Sequence, residues 1–458
     1  MHADPSSTFL AEIVAALDLP SASMERVSIT GEGCLPSCLR VSDLAVASIG
    51  AAALAISDLV ALNGGVPRVV VDRRLASLWF GWSIRPEGWR MPEPWDALAG
   101  DYQTRDGWIR LHTNAPHHRA SALSVLRCDA RRPAVTQAVR IWNGDALEDA
   151  IVAAGGAAAV LHTSESWSSH PQGVAVTREP LVRWDRTQGD RKAVWRPKRD
   201  RPLAGLRVLD LTRVLAGPVA TRFLAGYGAN VLRIDPPEWD EPGVIPEVTL
   251  GKRCARLDLR VAQDRAVFER LVSQADILVH GYRAGALEAL GYGAAARETI
   301  CPGLIDVSLD AYGHSGPWSA RRGFDSLVQF STGISAAGMS WRSGNAPVSL
   351  PVQALDHATG YLMAAAAVRG VIARVQGDTR RRARLSLART AKLLIDHKGP
   401  ATDEAFPAAS EADIAPGVEQ TSWGPCHRLK PPVIVGGADL CWSRAAAPLG
   451  THGPSWDD

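Results

Sequence analysis

The sequence predicts an α/β protein with a doubly wound, mainly parallel sheet and a smaller α+β domain. Residues 206–235 contain an apolar run, a loop, an amphipathic stretch and a second apolar run, which is the pattern of a βαβ unit. Further apolar runs at 253–260, 276–282 and 304–313 alternate with helical stretches, as expected of parallel strands covered by helices. Ligands bind beyond the carboxyl ends of such strands, so we expect a binding site in the loop after the first run.

Composition narrows the class of protein. The chain has 458 residues, 46% of them hydrophobic and 21% charged, and a net charge of +2. The net charge argues neither for nucleic acid nor for a membrane surface, so we expect neither as a partner. No uninterrupted apolar stretch approaches the length of a membrane span and the N-terminus does not resemble a signal peptide, so we expect a cytoplasmic protein. Cys34 and Cys38 have no second pair at zinc-like spacing, which predicts reduced thiols and no metal site.

Four segments follow from changes in composition along the chain. Asp43 precedes an alanine-rich stretch and is predicted to be the N-cap of its helix. Asp106-Gly107 lies between two alternating runs and predicts a β-hairpin. A polar linker without periodicity places a domain boundary near Val194. The predicted segments are 1–85 (N-terminal helical segment), 86–194 (small α+β domain), 195–398 (parallel-sheet domain) and 399–458 (extended tail packed on the main domain).

The βαβ unit does not carry a nicotinamide-binding fingerprint. A dinucleotide-binding loop needs several glycines between strand and helix, but Gly217 is the only glycine in 210–219. Gly226 and Gly228 come after the helical stretch and have the wrong spacing. The sequence therefore excludes NAD as a cofactor.

Five spaced motifs resemble the family III CoA-transferases, a family that also contains carnitine-dehydratase-like proteins and 2-methylacyl-CoA racemases. The motifs are LRVLDLTRVLAGP (206–218), GANV (228–231), GKR (251–253), DILV (276–279) and AYGHSGP (311–317). The resemblance extends from residue 203 to about residue 395. YQTRDGW at 102–108 is similar to a hairpin of the family's small domain, which here precedes the βαβ unit. The chain thus resembles a rearranged or fused member of the family.

The resemblance implies a Rossmann-like domain that binds coenzyme A, and an aspartate nucleophile at the position of Asp356. The implied reaction moves CoA from an acyl-CoA to a carboxylic acid through an aspartyl anhydride and an aspartyl-CoA thioester. An interlaced homodimer is also implied. Asp356 precedes a long helical stretch, so the pattern alone favours a helix cap, and it is the surrounding family motifs that reverse this preference. The implied CoA contacts are Arg213, Val214, Leu215, Ala216, Lys252, Arg253, Arg283 and Tyr312.

Two other functions stay open on the sequence. Racemases of the family have a Gly-His-Asp motif, and the matching positions here are Gly323-Phe324-Asp325. Phenylalanine cannot exchange a proton, so transfer is favoured over an acyl-CoA racemase or isomerase. A catalytically silent CoA-binding homologue is the other alternative, because the order of the segments is altered. No glycine-rich active-site loop is found, and a Trp/Pro-rich segment at 79–95 stands roughly in its place.

Overall fold

The structure, a computed structural model, describes residues 6–187 and 195–456. In chain order the α-helices are α1 (Ser6–Ala16), α2 (Val41–Ala61), α3 (Arg73–Trp79), α4 (Pro116–Leu126), α5 (Arg132–Arg140), α6 (Gly144–Ala153), α7 (Ser164–Ser169), α8 (Pro171–Arg178), α9 (Ala216–Gly226), α10 (Ile245–Val248), α11 (Ala262–Gln274), α12 (Ala286–Ala289), α13 (Ala294–Ile300), α14 (Asp325–Ser331), α15 (Ile334–Trp341), α16 (Ala354–Gln376) and α17 (Leu387–Asp396). The β-strands are β1 (Val27–Thr30), β2 (Val69–Asp72), β3 (Ile84–Pro86), β4 (Gly100–Gln103), β5 (Trp108–Leu111), β6 (Ala158–Val160), β7 (Arg183–Arg186), β8 (Arg207–Leu211), β9 (Asn230–Asp235), β10 (Lys252–Arg256), β11 (Ile277–His280), β12 (Ile305–Asp310), β13 (Arg380–Ser386), β14 (Glu419–Thr421), β15 (Gly424–Arg428) and β16 (Val433–Val435).

A seven-stranded sheet is the centre of the molecule, with the strand order β10-β9-β8-β11-β12-β13-β7. Neighbouring strands are parallel, except that β7 runs antiparallel to β13 at one edge. Its inner strands β8 and β11 are buried along most of their length because helices cover both faces of the sheet. Helix α9 connects β8 to the parallel strand β9, which is the βαβ unit expected at 206–235. The predicted α/β fold is confirmed.

Two long helices, α2 and α16, pack against each other in the main hydrophobic core. Both are rich in alanine, which lets their backbones approach closely. Each is long and apolar enough to cross a membrane, but 89% of its most apolar window is buried inside the protein. Their apolar character is therefore explained by their position in the core.

A second, smaller unit surrounds the predicted hairpin. Strands β4 and β5 pair antiparallel around the Asp106-Gly107 turn, β6 adds a third strand, and α4, α5 and α6 enclose a separate hydrophobic core. The Asp106 carboxylate accepts hydrogen bonds from the Thr104 hydroxyl at 3.0 Å and the Gly144 amide at 2.9 Å. These bonds hold the turn against the start of α6.

The four predicted segments are not separate in the structure, because strands from one segment pair with strands from another. Strand β7, within the range 86–194, pairs with the large sheet. In the tail, β15 pairs with β3 and β16 pairs with β2, so the range 399–458 is bound to the N-terminal segment as well as to the main domain. The boundary predicted near Val194 lies outside the described residues. Strand pairing between distant parts of the chain is not visible in local composition.

Candidate active site

The first turn of α16 holds Asp356 at the edge of two cavities. Its side chain is largely buried, and no described residue donates a hydrogen bond to its carboxylate. A Cβ atom at Gly360, one turn further on, would collide with the carbonyl oxygen of Ala216 at the start of α9. The small residue therefore lets α16 lie close to α9, which brings Asp356 beside the loop that follows β8.

Asp356 does not cap its helix. The helix begins at Ala354, and the amides of Leu355 and Asp356 donate to the carboxylate of Asp325, at 2.8 and 3.0 Å. Asp325 belongs to α14, so the N-terminus of α16 is capped by a carboxylate from another helix. The capping alternative for Asp356 is wrong, and its carboxylate is left without a structural partner.

Two neighbouring carboxyl groups share this site, and the charge of one affects the other. Burial raises the pKa of Asp325 to about 6, although backbone donors and the Gln329 amide favour its ionised form. Burial and the nearby charge of Asp325 raise the pKa of Asp356 well above its usual value. Like charges in a buried place cannot both ionise easily. The ionisation of Asp356 therefore depends on Asp325.

One of the two cavities, the arginine cleft, is lined by four arginines, Arg213, Arg283, Arg321 and Arg322, and by Asp356. It lies beyond the carboxyl ends of β8, β11 and β12, where an open parallel sheet binds its ligands. Of the predicted CoA contacts, Arg213, Val214, Leu215, Ala216 and Arg283 all line this cleft. The structure thus brings these residues together with Asp356.

The loop after β8 is held in a constrained shape. Val214 has a φ of 63°, which is unusual for a β-branched residue, and its amide donates to the Glu241 carboxylate at 2.9 Å. The Arg213 guanidinium packs against the rings of Trp239 and Tyr282, at 4.3 and 4.7 Å from their centroids. The loop is therefore positioned before any ligand binds.

Arg283 and Arg322 face the cleft with free cationic groups. Neither guanidinium forms an ion pair or side-chain hydrogen bond with another residue in the described part of the chain. Burial and the charge of Arg283 lower the pKa of Arg322. A second cation nearby favours an anionic ligand that both can bind. Arg322 was not among the predicted contacts, although Arg321-Arg322 directly precedes the Gly323-Phe324-Asp325 motif.

The structure places the side chains of Lys252 and Arg253, two of the predicted CoA contacts, away from the arginine cleft. The Lys252 ammonium is fully buried and donates to the Asp210 carboxylate at 3.0 Å and to the Pro218 carbonyl at 2.9 Å. The Arg253 side chain is also buried, and it donates to the Ser455 carbonyl at 2.7 Å in the tail. Both cations are occupied inside the protein and lie outside the arginine cleft.

Tyr312, another of the predicted CoA contacts, also lies outside the arginine cleft. Its ring is fully buried, and its hydroxyl lies 3.1 Å from the Ser331 hydroxyl. Its backbone amide donates to Asp310 at the end of β12. Tyr312 therefore shapes the wall behind the cleft and does not line it.

Asp43 provides an internal comparison for Asp356. It also lies in the first turn of a long alanine-rich helix, but α2 begins at Val41, so Asp43 is not the predicted N-cap. Its carboxylate accepts hydrogen bonds from Arg40 and Arg73, both at 2.7 Å, and from Ser6 at 2.9 Å. Asp43 is engaged in a structural ion-pair cluster, whereas Asp356 is not.

A second cavity, the aromatic chamber, opens beside Asp356. Its walls include Phe80, Trp82, Trp95, Phe324 and Val352. The His112 ring stacks on Phe324 with 3.7 Å between centroids. His118 lines the arginine cleft, and neither of its ring nitrogens has a hydrogen-bond partner in the structure. Neither histidine was predicted from the sequence, because both come from the small domain and no local motif marks them.

Comparison with known proteins shows which family this part of the chain resembles. Residues 203–427 match the model of CoA-transferase family III, which confirms for this part of the chain the resemblance read from its motifs. A probable fatty acyl-CoA transferase of Mycobacterium tuberculosis is 33% identical over 188 residues, covering 38% of this chain and 47% of that protein. Human succinyl-CoA:glutarate CoA-transferase is 31% identical over 204 residues, covering 40% of this chain and 46% of that protein.

Two further similarities cover 59% and 43% of this chain. An acyl-CoA transferase of Gibberella moniliformis is 28% identical over 298 residues, covering 59% of this chain and 52% of that protein. A crystal structure of the Mycobacterium tuberculosis protein Rv3272 matches 43% of this chain and 57% of that chain, with 29% identity and a TM-score of 0.40. The chain spans about half the length of the curated relatives that it matches.

Proposed function

We propose that this protein transfers CoA from an acyl-CoA thioester to a free carboxylic acid, with Asp356 as the nucleophile. The observation that carries the proposal is the unpartnered carboxylate of Asp356, which faces both the arginine cleft and the aromatic chamber. Buried carboxylates are normally paired, and one left free at a cavity marks a functional site. The names of the relatives, all acyl-CoA or succinyl-CoA transferases, support the same reaction class.

The reaction divides into steps in which Asp356 forms and breaks covalent bonds. Its carboxylate attacks the thioester carbonyl, and the electron pair of the C–S bond leaves with CoA thiolate, giving an acyl-aspartyl anhydride. The thiolate then attacks the aspartyl carbonyl and releases the donor as a carboxylate, which leaves an aspartyl-CoA thioester. The acceptor carboxylate repeats both steps in reverse order and restores Asp356. Covalent catalysis of this kind replaces one difficult exchange with easier steps.

The arginine cleft supports binding of the CoA moiety. Arg283 and Arg322 have no partner among the described residues, and Arg213 lies between two rings at the mouth of the loop. Guanidinium groups bind phosphate oxygens through paired hydrogen bonds. We assign these three arginines to the phosphates and keep Val214, Leu215 and Ala216 as backbone contacts of CoA.

One observation favours a second candidate, an acyl-CoA racemase or isomerase. Phe324 replaces the histidine of the racemase motif, but His118 lines the same cleft with unpartnered ring nitrogens. Burial lowers the pKa of His118 to about 3, so the ring is neutral at physiological pH, and its basicity is lower than that of an exposed histidine. Exchange of deuterium from solvent into the α-carbon of an acyl-CoA, without an acceptor acid, would favour this function over transfer.

The test of transfer is an assay with a panel of acyl-CoA donors and isotopically labelled carboxylic acids. The Asp356→Asn protein should lose at least about a thousandfold in kcat, as expected when a nucleophile is removed. Asp43→Asn is the matched control, because Asp43 has the same place on the other alanine-rich helix; its kcat per folded molecule should be kept, while the loss of its ion pairs with Arg40 and Arg73 should lower only the stability. Full activity of Asp356→Asn would overturn the proposal.

The proposal also includes the oligomeric state and the cellular location of the protein. The family resemblance implies a homodimer, which sedimentation velocity will measure directly. A cytoplasmic location, with the seven cysteines as free thiols, is proposed together with it. Fractionation of the native cells tests that location.

A further inference from the structure

The two cavities beside Asp356 differ in charge. Four arginines line the arginine cleft, whereas no lysine or arginine is among the described residues that line the aromatic chamber. The ionisable side chains of the chamber are His112, His357, Asp325 and Asp356. Under the proposed function, polyanionic CoA binds in the arginine-lined cleft, and the chamber is left for the acyl group on the other side of the thioester.

The histidines do not supply positive charge to the chamber. Burial lowers the pKa of His112 to about 3 and that of His357 to about 3, so both rings are neutral at physiological pH. Behind the chamber wall, Arg110 lies over the Trp95 ring and is ion-paired with Asp101. Any charge that faces a ligand in the chamber comes from two carboxyl groups.

Arg222, the second arginine near this wall, also forms an ion pair inside the protein. Arg222 acts on His357 through its charge, but its guanidinium is fully buried and ion-paired with Glu247. Neither arginine is free to meet an anionic ligand. A negatively charged acyl group in the chamber would have to give up its hydration without gaining a cation.

The size and surface of the chamber suit an apolar group. Its volume is about 310 Å³. A cavity of roughly 150 Å³ lined by apolar side chains is enough to hold benzene. The aromatic side chains of Phe80, Trp82, Trp95 and Phe324 line this space, and such rings contribute large apolar surfaces.

We propose that the acyl group carried by this protein is uncharged and apolar, with an aromatic ring or a branched chain, and that Trp82 and Trp95 determine this specificity. The proposal rests on the proposed function, because it assigns the chamber to the acyl group of a thioester attacked by Asp356. Dicarboxylic acyl groups are excluded as good substrates, since their second carboxylate would lie beside Asp325 and Asp356 without a cation.

The test compares phenylacetyl-CoA and isobutyryl-CoA with succinyl-CoA as donors to one acceptor acid. We expect kcat/KM to be at least tenfold higher for the two apolar donors. Trp95→Ala should lower kcat/KM for phenylacetyl-CoA at least tenfold with little effect on succinyl-CoA. Trp95 is 38% exposed, so its replacement should leave the fold intact. An equal or higher kcat/KM for succinyl-CoA would overturn the proposal.

The control comes from the same Trp/Pro-rich segment. Trp89 stacks on Trp423 and donates to the Pro425 carbonyl at 2.8 Å, outside the chamber. Trp89→Ala should keep the wild-type preference among donors. The same loss of phenylacetyl-CoA activity in Trp89→Ala and Trp95→Ala would also overturn the assignment.

A binding experiment separates this inference from the reaction itself. Calorimetry with the Asp356→Asn protein measures Kd for phenylacetyl-CoA and succinyl-CoA without turnover. A Kd at least tenfold lower for phenylacetyl-CoA supports the apolar chamber, and equal values contradict it. If no donor supports transfer and this difference persists, the proposed function fails while the assignment of the chamber holds.

Discussion

The charge of Asp325 influences the pKa of the neighbouring residue Asp356. Asp325 is tied to the backbone of the first turn of α16, and Asp356 is left to face the cavities. Burial and the charge of Asp325 raise the pKa of Asp356. A protonated carboxyl is a poor nucleophile, so the rate of attack should rise with pH as Asp356 ionises.

Asp325→Asn tests this coupling. The amide oxygen can still accept from the two backbone amides, but the neighbouring negative charge is gone, so the pKa of Asp356 falls. The acid limb of the profile of kcat/KM against pH should move to lower pH by about one unit. Initial rates across the pH range, with the wild-type enzyme measured in parallel, provide the check. A limb that stays in place or moves to higher pH would show that Asp325 does not raise this pKa.

At the scale of elements, the site is built where α9, α14 and α16 meet the carboxyl ends of the central strands. Beneath the loop after β8, the fully buried Lys252 ammonium on β10 forms an ion pair with the Asp210 carboxylate on β8. Asp210 also accepts from the hydroxyls of Thr212 and Thr221, at 2.5 Å each. This network fixes the start of the loop that carries Arg213.

Lys252→Met distinguishes a structural lysine from a CoA contact. Removing the ammonium leaves the Asp210 carboxylate buried without its cation, so the free energy of unfolding should fall by about 3–5 kcal/mol. Urea denaturation measures this loss, and KM for the acyl-CoA should stay unchanged. The double variant Lys252→Met/Asp210→Asn should recover part of the stability. Unchanged stability with a raised KM would instead mean that Lys252 contacts CoA.

The sequence predicted the parts of the molecule that local patterns encode. The βαβ unit and the Asp106-Gly107 hairpin follow from periodicity and turn residues, and the family motifs single out Asp356, whose role stays a prediction. Lys252 could not be assigned correctly, because a strand buried on both faces gives no alternation to show whether a cation is exposed or paired inside. The chamber was not predicted, since its walls come from residues as distant as Phe80 and Val352.

At the scale of the whole molecule, one buried carboxylate joins three distant segments. Glu247 accepts from Arg222 on α9, from Arg428 in the tail, and from Ser83 and the Ile84 amide in the Trp/Pro-rich segment. Burial alone would raise the pKa of Glu247, but the two arginines outweigh it and lower the pKa. This charged cluster therefore contributes to holding the tail and the N-terminal segment against the large domain.

Arg428→Met tests this connection through stability. Loss of one arginine from a buried cluster should lower the free energy of unfolding by about 3 kcal/mol at neutral pH. A lowered folded-state pKa stabilises the protein above the unfolded pKa of Glu, and this contribution is lost as pH falls through the folded value. The pKa of Glu247 should rise in the variant, so its stability should decline at a higher pH than that of the wild type. Urea titrations at neutral pH and at about pH 4 measure both effects. Equal stability of the two proteins at both pH values would contradict this role of the cluster.

The central claim is that the carboxylate of Asp356 forms a covalent bond first to the acyl group and then to the sulfur of CoA during the reaction. The most direct measurement is peptide mass spectrometry after the protein is incubated with phenylacetyl-CoA and then treated with hydroxylamine. We expect a hydroxamate on the peptide that contains Asp356, and none when the thioester is omitted or when Asp356→Asn is used. Transfer of CoA at the wild-type rate with Asp356 unmodified in every trapped sample would contradict the account.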